Sequence, residues 1–253
     1  MGAFPINAFL LSDGEPMLVD TGSAQEVDEF VSAVDQVVGL NELRWIYLTH
    51  CDHDHVGALG QLLEQAPNAR VALTFPTMGF MATGPDPIPR ERASMVTLGE
   101  QVTLGGRQIT PLRPPTYDNG GTAGFLDHGT GIYYCVDFLG AVLPSMEDAV
   151  ADDIATVAHE DFAAGATRWA SLDAPWVHAA DRVKFDDSLS AVQDLQASAL
   201  FPTHGPPIRA TLSRALDVLR GLPGSEPPKQ RGRAEIEATL AHLLGDQTES
   251  TPA

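Results

Sequence analysis

The sequence predicts one α/β domain, a sandwich of mixed sheets, and three observations predict it. Short apolar runs alternate with helical patterns along the chain. Hairpin signals, Gly105-Gly106 and Gly129-Thr130-Gly131, punctuate them. No repeat or internal boundary divides residues 1–246, and only the polar tail, 247–253, is set apart as a frayed end. The 253 residues are enough for a large core, and 43% hydrophobic against 19% charged residues marks a globular chain.

The elements follow in order. Ile6 to Leu11 reads as a strand, Ser12-Asp13-Gly14-Glu15-Pro16 as a turn, and Met17-Leu18-Val19 as a second strand ending in Asp20-Thr21-Gly22-Ser23. Ser23 and Glu26 have the spacing of a capping box. Val27, Phe30, Val31, Val34, Val37 and Val38 then fall on one helical face, with Gly39 suited to its end. Trp45 to Leu48 is a strand, Val56 to Gln65 a helix stopped by Pro67, and Arg70 to Phe75 a strand. Pro76 to Met95, with Pro76, Pro85, Pro87 and Pro89, reads as a long irregular loop of the kind that forms lids or binding walls. Its Arg90 and Arg92 are candidates for an anionic part of a substrate, although a solvated face is the commoner role. Gln101–Leu104 and Arg107–Thr110 form one hairpin, Gly124–His128 and Ile132–Phe138 another. Glu147 to Trp169 is Ala-rich and helical in pattern, and Ser188 to Ala199 is a further helix. Between them, Leu172 to Asp187 carries Trp176 and His178. Helices around Leu212, Ala215, Leu216 and Leu219, and around Ile236, Leu240, Leu243 and Leu244, close the chain.

Charge and cysteine usage narrow the function. The net charge is −19 with only 15 Lys+Arg, a surface that repels phosphate backbones and anionic lipids. That argues against a nucleic-acid or membrane partner, and no apolar run is long enough to span a bilayer. The opening Met1-Gly2-Ala3-Phe4-Pro5 lacks the basic flank and apolar core of a secretory signal. Two cysteines, Cys51 and Cys135, make no disulfide framework, so a cytoplasmic compartment is expected.

One stretch dominates the chemistry: Leu48-Thr49-His50-Cys51-Asp52-His53-Asp54-His55-Val56-Gly57. A strand that ends in a tight turn at a helix start aims several side chains at one point. Imidazoles and carboxylates at that density make a metal site. Two further signals lie downstream. Asp137 ends the apolar strand Ile132-Tyr133-Tyr134-Cys135-Val136, a position costly for a carboxylate unless it is paired or metal-bound. His204 stands just past the apolar Leu200-Phe201.

Together these residues resemble the metallo-β-lactamase superfamily. Its signature is H-x-H-x-D-H at a strand-to-helix turn, then a third histidine, a bridging aspartate at a strand end and a late histidine before glycine. Asp20-Thr21-Gly22 also looks like that family's N-terminal signature. The resemblance runs from about Ile6 to Pro207 and implies a four-layer αββα sandwich with the metals at one edge of the two sheets. His50, Asp54 and His55 fit the motif, Asp137 falls at the bridging position, and His204-Gly205 matches the late histidine. Asp52 replaces the second histidine. Asp118, in Asp118-Asn119-Gly120-Gly121-Thr122, replaces the third, with neighbouring Tyr117 the alternative ligand there. The resemblance thus implies one metal held by His50, Asp52, Asp118 and Asp137, and another by Asp54, His55, His204 and the same Asp137. His53 is expected to face solvent, and Cys51 to pack.

Oxygen ligands shift metal preference from zinc toward iron or manganese. The flavodiiron branch of the superfamily similarly puts a carboxylate at the second ligand position and binds two irons. This chain resembles it in that substitution, without room for its flavin-carrying domain. The resemblance implies two iron ions (zinc or manganese as alternatives), O2 as co-substrate and an external electron donor. Iron-binding relatives that act as oxygenases give the leading expectation. It is a non-heme diiron monooxygenase that hydroxylates a small-molecule acid or its coenzyme A or carrier thioester in natural-product biosynthesis, with Asp54 and Asp137 as the catalytic carboxylates. Phe80, Met81, Tyr117, Trp169 and Trp176 are candidate pocket walls, core packing being the commoner role of each. His159 and His178 are candidate acid–base groups, a surface or capped position being commoner. A dinuclear hydrolase of thioesterase or lactonase type, and a non-catalytic O2- or NO-binding protein, are the alternatives. The expected partners are a small-molecule substrate and a redox partner, and the oligomeric state, a homodimer included, is open.

Overall fold

Two five-stranded sheets face each other in the structure, a computed structural model that describes residues 2–85, 87–229 and 232–248, the side chains of 242–248 excepted. The first sheet holds β1 (Phe9–Leu11), β2 (Met17–Val19), β3 (Trp45–Tyr47), β4 (Arg70–Thr74) and β5 (Ala93–Val96) in chain order. Only β1 and β2 are antiparallel. The second holds β6 (Val102–Leu104), β7 (Arg107–Leu112), β8 (Gly124–Asp127), β9 (Ile132–Val136) and β10 (Ala199–Pro202), ordered β10-β9-β8-β7-β6. There β10 alone runs parallel to its neighbour.

Alternation along the strands explains the layering, because successive side chains in a strand point to opposite faces. Met17, Val19, Trp45 and Tyr47 meet Leu104, Ile109, Phe125 and Tyr134 between the sheets. Leu18, Ile46, Val71 and Leu73 face outward, onto Val31 and Val34 of α1 (Val27–Val38) and Leu59 and Leu62 of α2 (Leu59–Gln65). On the far side, Tyr133, Cys135 and Leu200 meet Phe162 and Ala166 of α5 (His159–Asp173), Leu189 of α6 (Arg182–Asp194) and Leu216 of α7 (Leu212–Arg220). The result is the four-layer αββα sandwich expected. The remaining helices are α3 (Phe75–Met81), α4 (Met146–Ala149) and α8 (Arg233–Thr248). Residues 249–253 of the expected frayed tail lie outside the described residues. Among the described residues no helix is long and apolar enough to cross a membrane.

Several elements differ from expectation. Residues 76–95 are not one loop. They form most of α3, a short 3-10 turn at Arg90–Arg92 and most of β5. Pro76 sits in the first turn of α3, where its missing N–H is no loss, and the Thr77 N–H donates to Thr74 Oγ1 at 3.4 Å. Arg92 donates to the carbonyls of Leu63, Ala66 and Ala69 at the end of α2, so it serves the fold, while Arg90 is exposed. Ser23 and Glu26 make no capping box. Glu26 itself stands at the N-cap without a capping side chain, and Ser23 Oγ accepts from Gln25 N–H. The Ala-rich run breaks between α4 and α5, because Asp153 caps a separate short turn at Ile154–Thr156. The next helix begins at Arg182, earlier than Ser188, because Asp181 accepts from the Lys184 N–H and caps it there. It ends at Asp194, and Ala199 opens β10.

Candidate metal centre

Four chain segments converge where strands end at one edge of the sandwich. β3 stops at Tyr47 and the chain turns through His50, Asp52, Asp54 and His55 into α2. Asp118 lies in the loop before β8, Asp137 directly follows β9, and His204 follows β10. The turn after β9, and that after the neighbouring β2, are strained. Asp20, next after β2, has φ 59°, and Val136 and Leu139, flanking Asp137, have φ 59° and 65°. Left-handed backbone at non-glycine residues costs on the order of 1–3 kcal/mol each and gathers where function fixes geometry. Gly57 permits a close approach of another kind: a Cβ there would collide with the backbone of Ser23 and Ala24.

The histidines share one arrangement. His55 Nδ1 lies 2.8 Å from Asp20 Oδ2, and His204 Nδ1 lies 2.9 Å from the Pro5 carbonyl. Both oxygens are acceptors, so both Nδ1 atoms carry the proton. Thr49 Oγ1 donates to Asp20 Oδ2 at 2.7 Å, which leaves that hydroxyl oxygen to accept from His50 Nδ1 at 3.1 Å. All three imidazoles therefore present an Nε2 lone pair inward, as metal-ligating histidines do. All three are buried.

The Nε2 atoms meet carboxylates in two groups. Asp137 Oδ1 lies 3.2 Å from His55 Nε2 and 3.2 Å from His204 Nε2, and Asp54 Oδ2 lies 3.3 Å from His204 Nε2. The other Asp137 oxygen, Oδ2, lies 3.4 Å from His50 Nε2, which is 4.0 Å from Asp118 Oδ2. Candidate ligand atoms of Asp54, His55 and His204 fall within 4.8 Å of one another, as do those of His50, Asp52 and Asp118. Asp137 thus turns one oxygen to each group. His55 Nε2 and Asp137 Oδ1 are buried and have no hydrogen-bond partner among the described residues. Unsatisfied buried groups of this kind are costly. A cation between them satisfies both, so the donor set fits a pair of metal ions.

Electrostatics point the same way. Burial penalises ionisation of Asp137, yet His55, His204 and His50 outweigh it and hold the carboxyl well below the usual carboxylate range. Burial likewise disfavours charging His55, but Asp137 and Asp20 prevail and push it well above the ordinary histidine value. A site that so strongly favours positive charge beside Asp137 is suited to divalent cations.

Neighbouring side chains hold the candidate ligands. Asp118 accepts from Thr122 Oγ1 and Asn119 Nδ2, both at 2.8 Å. The Trp169 indole donates to the Asp137 carbonyl at 3.0 Å and packs on His204 with ring centroids 4.5 Å apart. Tyr117 packs against Trp176 at 5.0 Å and lies under Arg113 at 4.9 Å. His53 is exposed, as expected, and Cys51 packs on the core outside the first sheet. Of the candidate walls, Trp169 touches the site and Tyr117 and Trp176 flank it. Met81 is core and Phe80 an exposed position on α3. His178 is held between Ser171 and Ser225, and His159 lies at the start of α5 beside Ile154 and Arg214. The sequence reading missed the roles of Thr49 and the Pro5 carbonyl altogether; it had Trp169 only as a candidate wall and Asp20 only as part of the N-terminal signature, without their supporting roles. Asp20 had a usable signal for its role, since it ends an apolar strand as Asp137 does.

The family model for the metallo-beta-lactamase superfamily matches residues 1–204. The chain belongs to that superfamily. Within it, the chain is 27% identical over 143 residues to an anaerobic nitric oxide reductase flavorubredoxin of Pectobacterium atrosepticum, covering 53% of this chain and 28% of that protein. It is 32% identical over 111 residues to the type A flavoprotein fprA of Rhodobacter capsulatus, covering 43% and 26%. Among solved structures, a flavo di-iron protein variant from Thermotoga maritima superposes with TM-score 0.71 at 18% identity, covering 85% of this chain and 52% of that one. Rubredoxin oxygen:oxidoreductase from Desulfovibrio gigas gives TM-score 0.71 at 16% identity, covering 87% and 58%. The chain thus spans about a quarter of the curated relatives and about half of these structures.

Proposed function

We propose that this chain is a two-iron oxidoreductase that takes dioxygen or nitric oxide as its oxidising substrate and electrons from a separate donor protein or flavin. The carrying observation is Asp137, one oxygen turned to each of two ligand groups that together hold three imidazoles and four carboxylates. His50, Asp52 and Asp118 would hold one ion, Asp54, His55 and His204 the other. Four carboxylates suit iron better than zinc. Two iron ions, when bound, supply electrons one at a time and a position for a small diatomic molecule. The chain's own residues fix the ligand tautomers through Asp20, Thr49 and Pro5. They also close the buried side with Trp169 and leave Asp52 exposed at the rim. The names of the relatives, a nitric oxide reductase and a rubredoxin oxygen:oxidoreductase, support this reading of the small substrate.

A second reading, hydroxylation of a small-molecule acid or its coenzyme A or carrier thioester, is favoured by one feature of the rim. Beside Asp118 a ladder of Arg113, Tyr117 and Trp176 offers an aromatic face with a cation at its end. The test begins with metal content of the purified chain and its consumption of O2 and NO after anaerobic reduction. Product analysis with candidate acids follows. Two irons with gas consumption and no organic product supports the reductase, and an oxygenated acid supports the hydroxylase. Zinc with thioester or lactone hydrolysis overturns both. Asp52→His, by adding an imidazole, is expected to move metal preference toward zinc and abolish gas consumption.

A further inference from the structure

Three parts of the fold grip the loop that carries Asp118. Arg113, directly after β7, lays its guanidinium along it: Nη1 donates to the Asn119 carbonyl at 3.2 Å and Nη2 to the Gly120 carbonyl at 2.9 Å. The same guanidinium stands over the Tyr117 ring, 4.9 Å from its centroid. Trp176, in the 3-10 turn Pro175–Ala179, donates its indole N–H to the Tyr117 carbonyl at 2.8 Å and packs on that ring at 5.0 Å. Thr74 at the end of β4 and Thr77 in α3 donate to the Gly121 carbonyl at 2.8 and 3.1 Å. Inside the loop, the Asn119 side chain accepts from the Gly121 N–H at 2.8 Å and donates to Asp118 Oδ2 at 2.8 Å, while Thr122 donates to Asp118 Oδ1 at 2.8 Å. Asp118 Oδ2 is the oxygen 4.0 Å from His50 Nε2. Further along, the Ala123 N–H donates to the Thr49 carbonyl at 2.8 Å, which ties the loop to the residue before His50.

We propose that Arg113 is a positioning residue of the metal centre: its guanidinium, seconded by the Trp176 indole, fixes the loop so that Asp118 faces His50. The inference rests on the two-ion reading above, in which His50, Asp52 and Asp118 hold one ion. The path from Arg113 to the ligand is short. Arg113 fixes the Asn119 and Gly120 backbone, the Asn119 amide holds Asp118 Oδ2, and that oxygen faces His50 Nε2. Aspartate is a short side chain, so it serves as a ligand only where its backbone is brought close and kept there by its surroundings. The task suits arginine. A planar guanidinium meets two neighbouring carbonyls at once, whereas an ammonium is a single point. Both terminal nitrogens of Arg113 donate to the loop, which ties the residue to the ligand rather than to a substrate. Neither Arg113 nor Trp176 bonds to Asp54, His55 or His204 among the described residues, so the effect belongs to one ion of the pair.

The test titrates the metal-stripped full chain with cobalt(II), whose visible absorption reports the ligands of each ion, in competition with a chelator. Wild type is expected to take two ions, and Asp118→Asn marks the one that depends on Asp118 by weakening it. Arg113→Ala should weaken that same ion about 10- to 100-fold, shift its absorption and leave the other ion unchanged. In the Asp118→Asn background it should add little, since the two residues act on one path. Arg113→Lys should recover only part of the loss. Trp176→Phe keeps a ring against Tyr117 and loses the N–H donor. It should act on the same ion more weakly, and it carries the test if Arg113→Ala does not fold. Weakening of both ions alike, of the other ion alone, or of neither overturns the proposal. So does full metal content with a raised KM for an organic acid, which would make Arg113 a substrate contact. A wild-type chain that takes fewer than two ions, or an Asp118→Asn chain that binds both as wild type does, overturns the parent reading instead, so the two failures are distinct.

Discussion

Asp20 is the residue on which His55 depends. Its carboxylate accepts hydrogen bonds from His55 Nδ1–H at 2.8 Å, the Thr49 N–H at 2.8 Å and the Thr49 hydroxyl at 2.7 Å. That hydroxyl in turn orients His50. One carboxylate thus sets two of the three inward-facing imidazoles. Asp20→Ala is expected to weaken metal binding about 10- to 100-fold, the usual effect of removing such a support. Competition with a chromophoric chelator measures it, and unchanged affinity would mean that His55 and His50 are held by packing alone. Most candidate ligands were legible because their spacing in one turn, or their place at the end of an apolar strand, is local; Asp118, in the loop before β8, came only from the family resemblance. The roles of Trp169, read only as a candidate wall, and of the Pro5 carbonyl were not legible. Each supports a residue distant in sequence, Asp137 and His204, and nothing local marks an indole or a carbonyl for that task.

Among the elements, hairpins and buried strands were the easiest to read, since Gly105-Gly106 supplies two positive φ angles at 58° and 78° and the inward and outward strand residues alternate. The stretch 76–95 was hardest, because proline composition signals a loop, whereas Pro76 starts a helix and Arg92 ends another. Arg92→Ala leaves three carbonyls near the end of α2 without their guanidinium partner. Given its partial exposure, the expected cost is about 2 kcal/mol, read from urea unfolding. Arg107 joins the two sheets, bonding Asp127 at the end of β8 at 2.9 Å and Asp13, in the β1–β2 turn, at 2.6 Å. The Arg107 bond and charge hold the Asp13 carboxyl below its usual value. A depressed carboxylate contributes stability above its unfolded value that is lost as pH falls through the folded one. Asp13→Asn is therefore expected to cost about 0.2–1 kcal/mol near pH 6, the range of an exposed pair. The gap to wild type should close below about pH 3. A gap that persists there would assign the effect to something other than the ion pair.

At the scale of the whole molecule, charge and metal act on one balance. The chain carries −19, and four carboxylates, Asp52, Asp54, Asp118 and Asp137, crowd one edge of the sandwich. Without cations, the imidazoles alone offset that local charge, and the remaining repulsion opposes folding. Ions that bind only the folded chain stabilise it by mass action, about 4 kcal/mol at a thousandfold excess over Kd. For a chain of this size that corresponds to a melting shift of roughly 10 °C. Stripping the metals is expected to lower Tm by about that amount. Salt then separates the two contributions. At about 0.15 M the screening length is about 8 Å, long enough to span the cluster but short against the molecule. Raising ionic strength to that level should therefore raise Tm by a similar amount in both forms, by damping the overall repulsion, and leave the repulsion among the clustered carboxylates of the stripped form largely unscreened. Calorimetry of both forms at low and physiological salt measures the difference. A clearly larger rise in the stripped form would mean that salt reaches the clustered carboxylates and that the empty cluster opens to solvent when the ions are gone.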